Sequence, residues 1–202
     1  MKYYYLAVLV LASVSNAEIL YDDKTYSGNI YGGTGCNNDF TLADVFTLDS
    51  GGGTIESIDW WLTGDGCATA SSQWQISFYT EANTSPYTSP GDTLWQEYIY
   101  PEITGIASNG GSRSQWHAVF NLDPADYLYL DGNTSYWVGI TYTGPEYGVY
   151  GAYSYPGSLY AYWYPSNGQW CYMDGNLIFA LSGTPGASSL DRTSWGAIKN
   201  SF

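Results

Sequence analysis

Positive charge is what this chain has least of. Five Lys and Arg stand against 19 Asp and Glu, a formal charge of −14. Nucleic acid is held largely by cationic contacts to phosphate, and an anionic membrane surface attracts proteins in the same way, so neither is an expected partner. Charge of either sign is scarce, at 12% of residues against about 25% in an average domain. The polar surface must therefore come from Ser, Thr, Asn, Gly and Tyr hydroxyls. There is a single histidine, His117. A Ser–His–Asp triad would have to use it, and no nucleophile elbow accompanies it. Glu56, Asp59, Glu97 and Glu102 lie in or near expected strands. A glycosidase needs two carboxylates roughly 5 to 10 Å apart across a cleft, and the plainer reading of these four is ordinary solvated acids. No catalytic residue is expected, and glycoside hydrolase is the weakest functional alternative.

Long apolar runs are also missing beyond the start. The opening "MKYYYLAVLVLASVSNA" has a basic Lys2, an apolar run from Tyr3 to Val14, and small residues Ser15 and Ala17 before Glu18. That is the layout of a secretory signal peptide, and it is too short for a span, which takes about 20 apolar residues. The expected organisation is a signal peptide at 1–17, one domain at 18–184, and a linker and tail at 185–202. The protein is expected to be secreted or held at the cell surface, with no transmembrane segment in the mature chain.

Cysteine is sparse. Cys36, Cys67 and Cys171 permit one disulfide in an oxidising compartment. "LDSGGGTI" reads as a tight connection centred between Gly51 and Gly52, and folding the chain there sets Cys36 opposite Cys67, the favoured pair. Cys67–Cys171 is the rival. Zinc would want closer spacing and further ligands, so no metal site is assigned. No cofactor is expected, with structural calcium as the one ion that loop acids Asp22, Asp23 and Asp39 could hold.

What the chain does have is aromatic residues in short alternating runs. "SIDWWLTG" places Ile58, Trp60 and Leu62 on one side and Asp59, Trp61 and Thr63 on the other. "QWQISFYT" (Trp74, Ile76, Phe78), "QWHAVFNL" (Trp116, Ala118, Phe120, Leu122), "YWVGITY" (Tyr136, Val138, Ile140, Tyr142) and "NLIFALSG" (Leu177, Phe179, Leu181) repeat the pattern. Alternate side chains of a strand face opposite ways, and turn residues in "TSPGDT", "LDGNTS" and "PSNG" separate the runs. The expectation is an all-β fold, a two-sheet antiparallel β-sandwich of jelly-roll type.

The order "NDFTL", "IESIDWW", "WQISFY", "YWVGITY", "NLIFALSG" resembles a group of secreted bacterial β-sandwich domains found behind a signal peptide and before a C-terminal sorting segment. The resemblance covers about residues 37 to 184. It implies cell-surface or matrix material without a catalytic signature, and carbohydrate binding by analogy of fold. The chain departs from the PEP-CTERM ending, since neither the Pro-Glu-Pro start nor an apolar helix follows Gly183.

The densest aromatic stretch is "LYAYWY", residues 159 to 164. With Leu159, Ala161 and Trp163 inward, Tyr160, Tyr162 and Tyr164 stand in a row on solvent, about 6.5 to 7 Å apart. Trp61 and Trp137 likewise fall opposite the oily faces of their strands. These five are the candidate ligand-binding residues. Such rings can stack on sugars, although tyrosine is also simply a favoured strand residue. The functional expectation is an exported, non-catalytic surface or matrix protein acting in adhesion or assembly through an aromatic, hydroxyl-rich sheet face. Its partners would be an extracellular glycan or other surface proteins, self included, and a carbohydrate-binding module is the main alternative.

Overall fold

The computed structural model describes residues 17–22, 33–35, 40–64, 72–84, 87–106, 114–144, 149–164 and 168–187. These form thirteen strands: β1 (Glu18–Asp22), β2 (Gly33–Gly35), β3 (Leu42–Thr47), β4 (Gly53–Gly64), β5 (Trp74–Thr84), β6 (Tyr87–Ile99), β7 (Glu102–Ile106), β8 (Ser114–Asn121), β9 (Leu128–Leu130), β10 (Ser135–Tyr142), β11 (Val149–Tyr164), β12 (Gln169–Leu177) and β13 (Phe179–Pro185). A single 3-10 turn, Pro124–Asp126, is capped by the Asp123 carboxylate.

Every pairing is antiparallel, and the strands lie in two sheets packed face to face, the sandwich that the alternation leads one to expect. Sheet A runs β1-β13-β4-β8-β7, with β9 beside the start of β4. Sheet B runs β12-β11-β3-β10-β5-β6. Strand β11 belongs to both: Val149–Ala152 pair with β4 and β2, and later residues pair with β12 and β3.

The inward sets read from sequence fill the space between the sheets. Ile58, Trp60, Leu62, Trp74, Ile76, Phe78, Val138, Ile140, Leu177, Phe179 and Leu181 are fully buried there. Their rings interlock: Trp60 stacks on Phe179 at 5.3 Å, and Phe46 meets Phe78 edge-on at 6.1 Å, geometries that aromatic quadrupoles favour. Among the described residues the core holds one charge-bearing side chain, Asp44. Its carboxylate accepts the backbone N–H of Leu177 at 2.7 Å and of Val45 at 2.8 Å, which compensates for its burial and ties β3 to the end of β12.

The connection at Gly51 and Gly52 does not make a hairpin. It leads from β3 in sheet B to β4 in sheet A, and the two strands pair with other partners. Counting back from this turn therefore gives no register between positions 36 and 67. Cys36 and Cys67 themselves lie outside the described residues, and Cys171 carries a free, partly buried thiol. Residues 1–16 of the expected leader, 188–202 of the expected tail, and Asp23 and Asp39 also lie outside the described residues. Among the described residues no helix is long and apolar enough to cross a membrane.

Candidate functional site

Three of the five candidate side chains lie on β11, and for Tyr160 and Tyr162 the facing is the reverse of that expected. Tyr160 is fully buried in the core between the sheets, its hydroxyl 3.3 Å from the sulfur of Met173, and Tyr162 packs against the same core. Tyr164 closes β11, and its side chain lies outside the described residues. The cause is register. Tyr162 sits opposite Leu42 and Ala161 opposite Ala43, and neighbours across a sheet share a face. Since Leu42 points into the core, Tyr162 and Tyr160 must follow it. Tyr160 and Tyr162 therefore do not form an exposed row on solvent.

The residues between them, Ala161 and Trp163, belong to the outer face of sheet B, where the aromatic surface lies. Trp137, the second tryptophan singled out, is on this face as its parity requires, but it is only 1% exposed. It packs on Ala43 and Ala161 and is walled by Val45, Tyr79, Trp170 and Tyr172. Small residues form the floor. A Cβ on Gly139 would come within 3.0 Å of the Tyr79 ring, so glycine is what lets that ring lie against the sheet.

Around Trp137 the outer rings touch in sequence. Trp170 meets Trp163 at 5.4 Å and Tyr79 at 5.9 Å, both edge-on. Strand β5 pairs with β10 only as far as Thr80, while the β5–β6 pairing continues to Thr84 and Tyr87. This overhanging hairpin carries Tyr87 to within 5.2 Å of Tyr172 on β12. Trp163, Trp170 and Tyr172 are half-buried; Tyr87 and Tyr98, on the same sheet, are 48% and 52% exposed. Hydroxyls and amides lie among the rings: Thr41 bonds Thr141 at 2.6 Å, and the Ser77 hydroxyl donates to Gln96 at 3.3 Å. Burial pushes the Tyr79 hydroxyl pKa above its ordinary value, against a smaller lowering by its hydrogen bond with Ser77.

Trp61 lies on the outer face of sheet A, half-buried and far from this cluster in the strand order. It stacks on the His117 ring at 4.5 Å, and His117 Nε2 is 2.6 Å from Asp59 Oδ1. Glu56 accepts from the Thr184 hydroxyl and Glu102 from Asn121. Glu97 is exposed on β6 in the other sheet. The acids that could have formed a glycosidase pair are thus divided between the two sheets or engaged with neighbours. Among the described residues no group of three or more His, Cys, Asp or Glu is placed to hold a metal ion.

The structure therefore brings together Trp137 with Tyr79, Trp163, Trp170 and Tyr172, and separates them from Tyr160, Tyr162 and Trp61. Sequence offered one signal for the residues not singled out: Trp170 and Tyr172 alternate in "QWCYM" as strictly as Tyr160 and Tyr162 do in "LYAYWY". Compared with protein-family models, with curated proteins and with solved structures, the chain matches none, so the motif-order likeness to secreted β-sandwich domains stands without a matching family.

Proposed function

We propose that this is an exported, non-catalytic protein of the cell surface or extracellular matrix that adheres through the aromatic outer face of sheet B. The reading rests on one observation, the continuous chain of half-buried rings from Trp163 through Trp170 to Tyr79, with Tyr172 and Tyr87 alongside. Rings already held by their neighbours lose little freedom on contact, and large flat side chains dominate the energetics of protein surfaces that bind. The chain's net charge of −14 favours uncharged partners over anionic ones.

A second reading, glycan binding by the same face, is favoured by the half-buried Thr41 and the exposed Gln96 beside the rings, which are braced from beneath by the buried Thr141 and Ser77. Hydroxyls next to aromatic faces suit a pyranose, which is apolar on its faces and polar at its rim. Light scattering and affinity gels containing neutral polysaccharides separate the two on one pair of proteins, the full chain and its Trp163→Ala/Trp170→Ala variant. Concentration-dependent association that falls at least about tenfold in the variant, the loss of about 1.4 kcal/mol, is the expected result. Retardation by a polysaccharide, lost in the variant, would assign the face to glycan. If the variant associates and migrates as the parent does while keeping its fold, the face has neither role.

A further inference from the structure

Beyond that face, the end of the sandwich holds a cavity of about 420 Å³. It sits where two turns meet: the β3–β4 turn brings Ser50 and Gly51, and the segment after β9 brings Asp131 and Thr134, with Tyr129 of β9 as a wall. The aromatic cluster is anchored at the other end of β3, where Trp163 N–H donates to Thr41 C=O. The length of β3, about 20 Å at strand geometry, separates the cavity from Trp163, while Trp137 at the buried floor of the cluster stands three residues from Thr134.

The cavity is built rather than incidental. Asn133 N–H donates to Leu48 C=O at 3.0 Å, and Gly186 N–H donates to Gly52 C=O at 2.9 Å, so both turns and the end of β13 are locked together. Asn133 takes a left-handed φ of 55°, a turn conformation that asparagine tolerates better than most residues. Gly132 is packed so closely that a Cβ would fall 2.0 Å from Asp49 O. The Tyr129 ring is 51% exposed and is pinned along the turn by its hydroxyl, which donates to Gly51 C=O at 3.3 Å.

The lining includes the exposed Asp131, an acceptor when ionised, with Ser50 and Thr134 as hydroxyl-bearing neighbours and the exposed Tyr129 ring as an apolar wall. A ligand suited to it donates hydrogen bonds to Asp131, carries no negative charge and offers one apolar face to Tyr129. The volume falls within the range of about 300–1,000 Å³ usual for small-molecule sites. We infer that this cavity binds a single uncharged pyranose residue, as a monosaccharide or at the end of a chain, and does so independently of the sheet B face.

The test is a titration of the isotope-labelled full chain with methyl β-D-glucopyranoside, methyl β-D-galactopyranoside, methyl α-D-mannopyranoside and methyl β-D-glucuronide, followed by amide NMR. The neutral glycosides should include one that shifts the resonances of residues 50–52 and 129–134, with a dissociation constant on the order of 1 mM. The glucuronide should shift them at least about tenfold more weakly, because its carboxylate would face Asp131. Tyr129→Ala should weaken binding by about tenfold or more, whereas Tyr129→Phe, which keeps the ring face, should retain it. Trp163→Ala/Trp170→Ala should leave these shifts unchanged. Absence of shifts with all three neutral glycosides, or equal binding by the folded Tyr129→Ala variant, overturns the inference.

Discussion

At Tyr79 the chemistry of one hydroxyl can be followed from packing to stability. Its ring lies against Gly139 and edge-on to Trp170, and this burial disfavours the phenolate, so the folded protein holds the proton to higher pH than the unfolded chain does. The stability this contributes is complete below the unfolded value of about 10. Above it the unfolded state loses its proton first, and stability falls as pH rises toward the folded value. The melting temperature should therefore decline from about pH 10 upward, and Tyr79→Phe should decline less. With 22 tyrosines in the chain, the difference between the two proteins isolates this residue, not either curve alone. Parallel curves would mean that Tyr79 titrates in the fold as it does in the open chain. Residue-scale placement was legible for Trp61 and Trp137, whose strands have one oily and one polar face. How deeply Trp137 is covered was not, because Trp170 and Tyr172, which cover it, come from a strand over thirty positions away in sequence.

At the scale of the element, β11 shows where alternation stops being informative. In "LYAYWY" both faces are apolar, so a period of two identifies a strand without saying which side is inside, and a slip of one residue exchanges the faces. The decision comes from β3, where Leu42 and Phe46 are apolar and Ala43 and Val45 lie opposite, and from the irregular pairing between Ser154 and Leu159 that resets the strand before it reaches β3. Strands with an unambiguous face, such as "QWQISFYT", needed no such help. The turn "LDSGGGTI" failed for a related reason: its glycines permit a reversal but do not say whether the chain returns in the same sheet or crosses to the other. The assignment of β11 has a direct consequence for stability. Tyr160→Ala empties core volume and should cost about 3 kcal/mol or more. Trp163→Ala removes an edge-on ring contact at the surface and should cost about 0.5–1.5 kcal/mol. Urea denaturation midpoints with unchanged slopes would measure both. The opposite order would restore the tyrosines to the surface and remove the basis for the sheet B face.

For the molecule as a whole, closure of sheet A depends on the last strand. β13 lies between β1 and β4, so among the described residues β1 has no partner in its sheet until β13 has been made. Phe179 brings together the ring of Trp60 from β4 and that of Tyr21 from β1, and Leu177 N–H completes the bonding of buried Asp44. Contacts this distant in sequence must be closed before they stabilise anything, which slows folding into the millisecond-to-second range common for sandwiches and leaves the nascent chain without a core. A chain ending at residue 178 keeps Asp44 satisfied but leaves β4 unpaired along most of one edge and strands β1. It should show no cooperative thermal transition and should expose apolar surface to a hydrophobic dye, whereas Phe179→Ala in the full chain should remain cooperative while losing about 3–5 kcal/mol. Cooperative melting of the truncated chain would mean that sheet B and β4 with β8 form a stable unit by themselves, and that β1 and β13 are an added edge rather than the closing piece of the core.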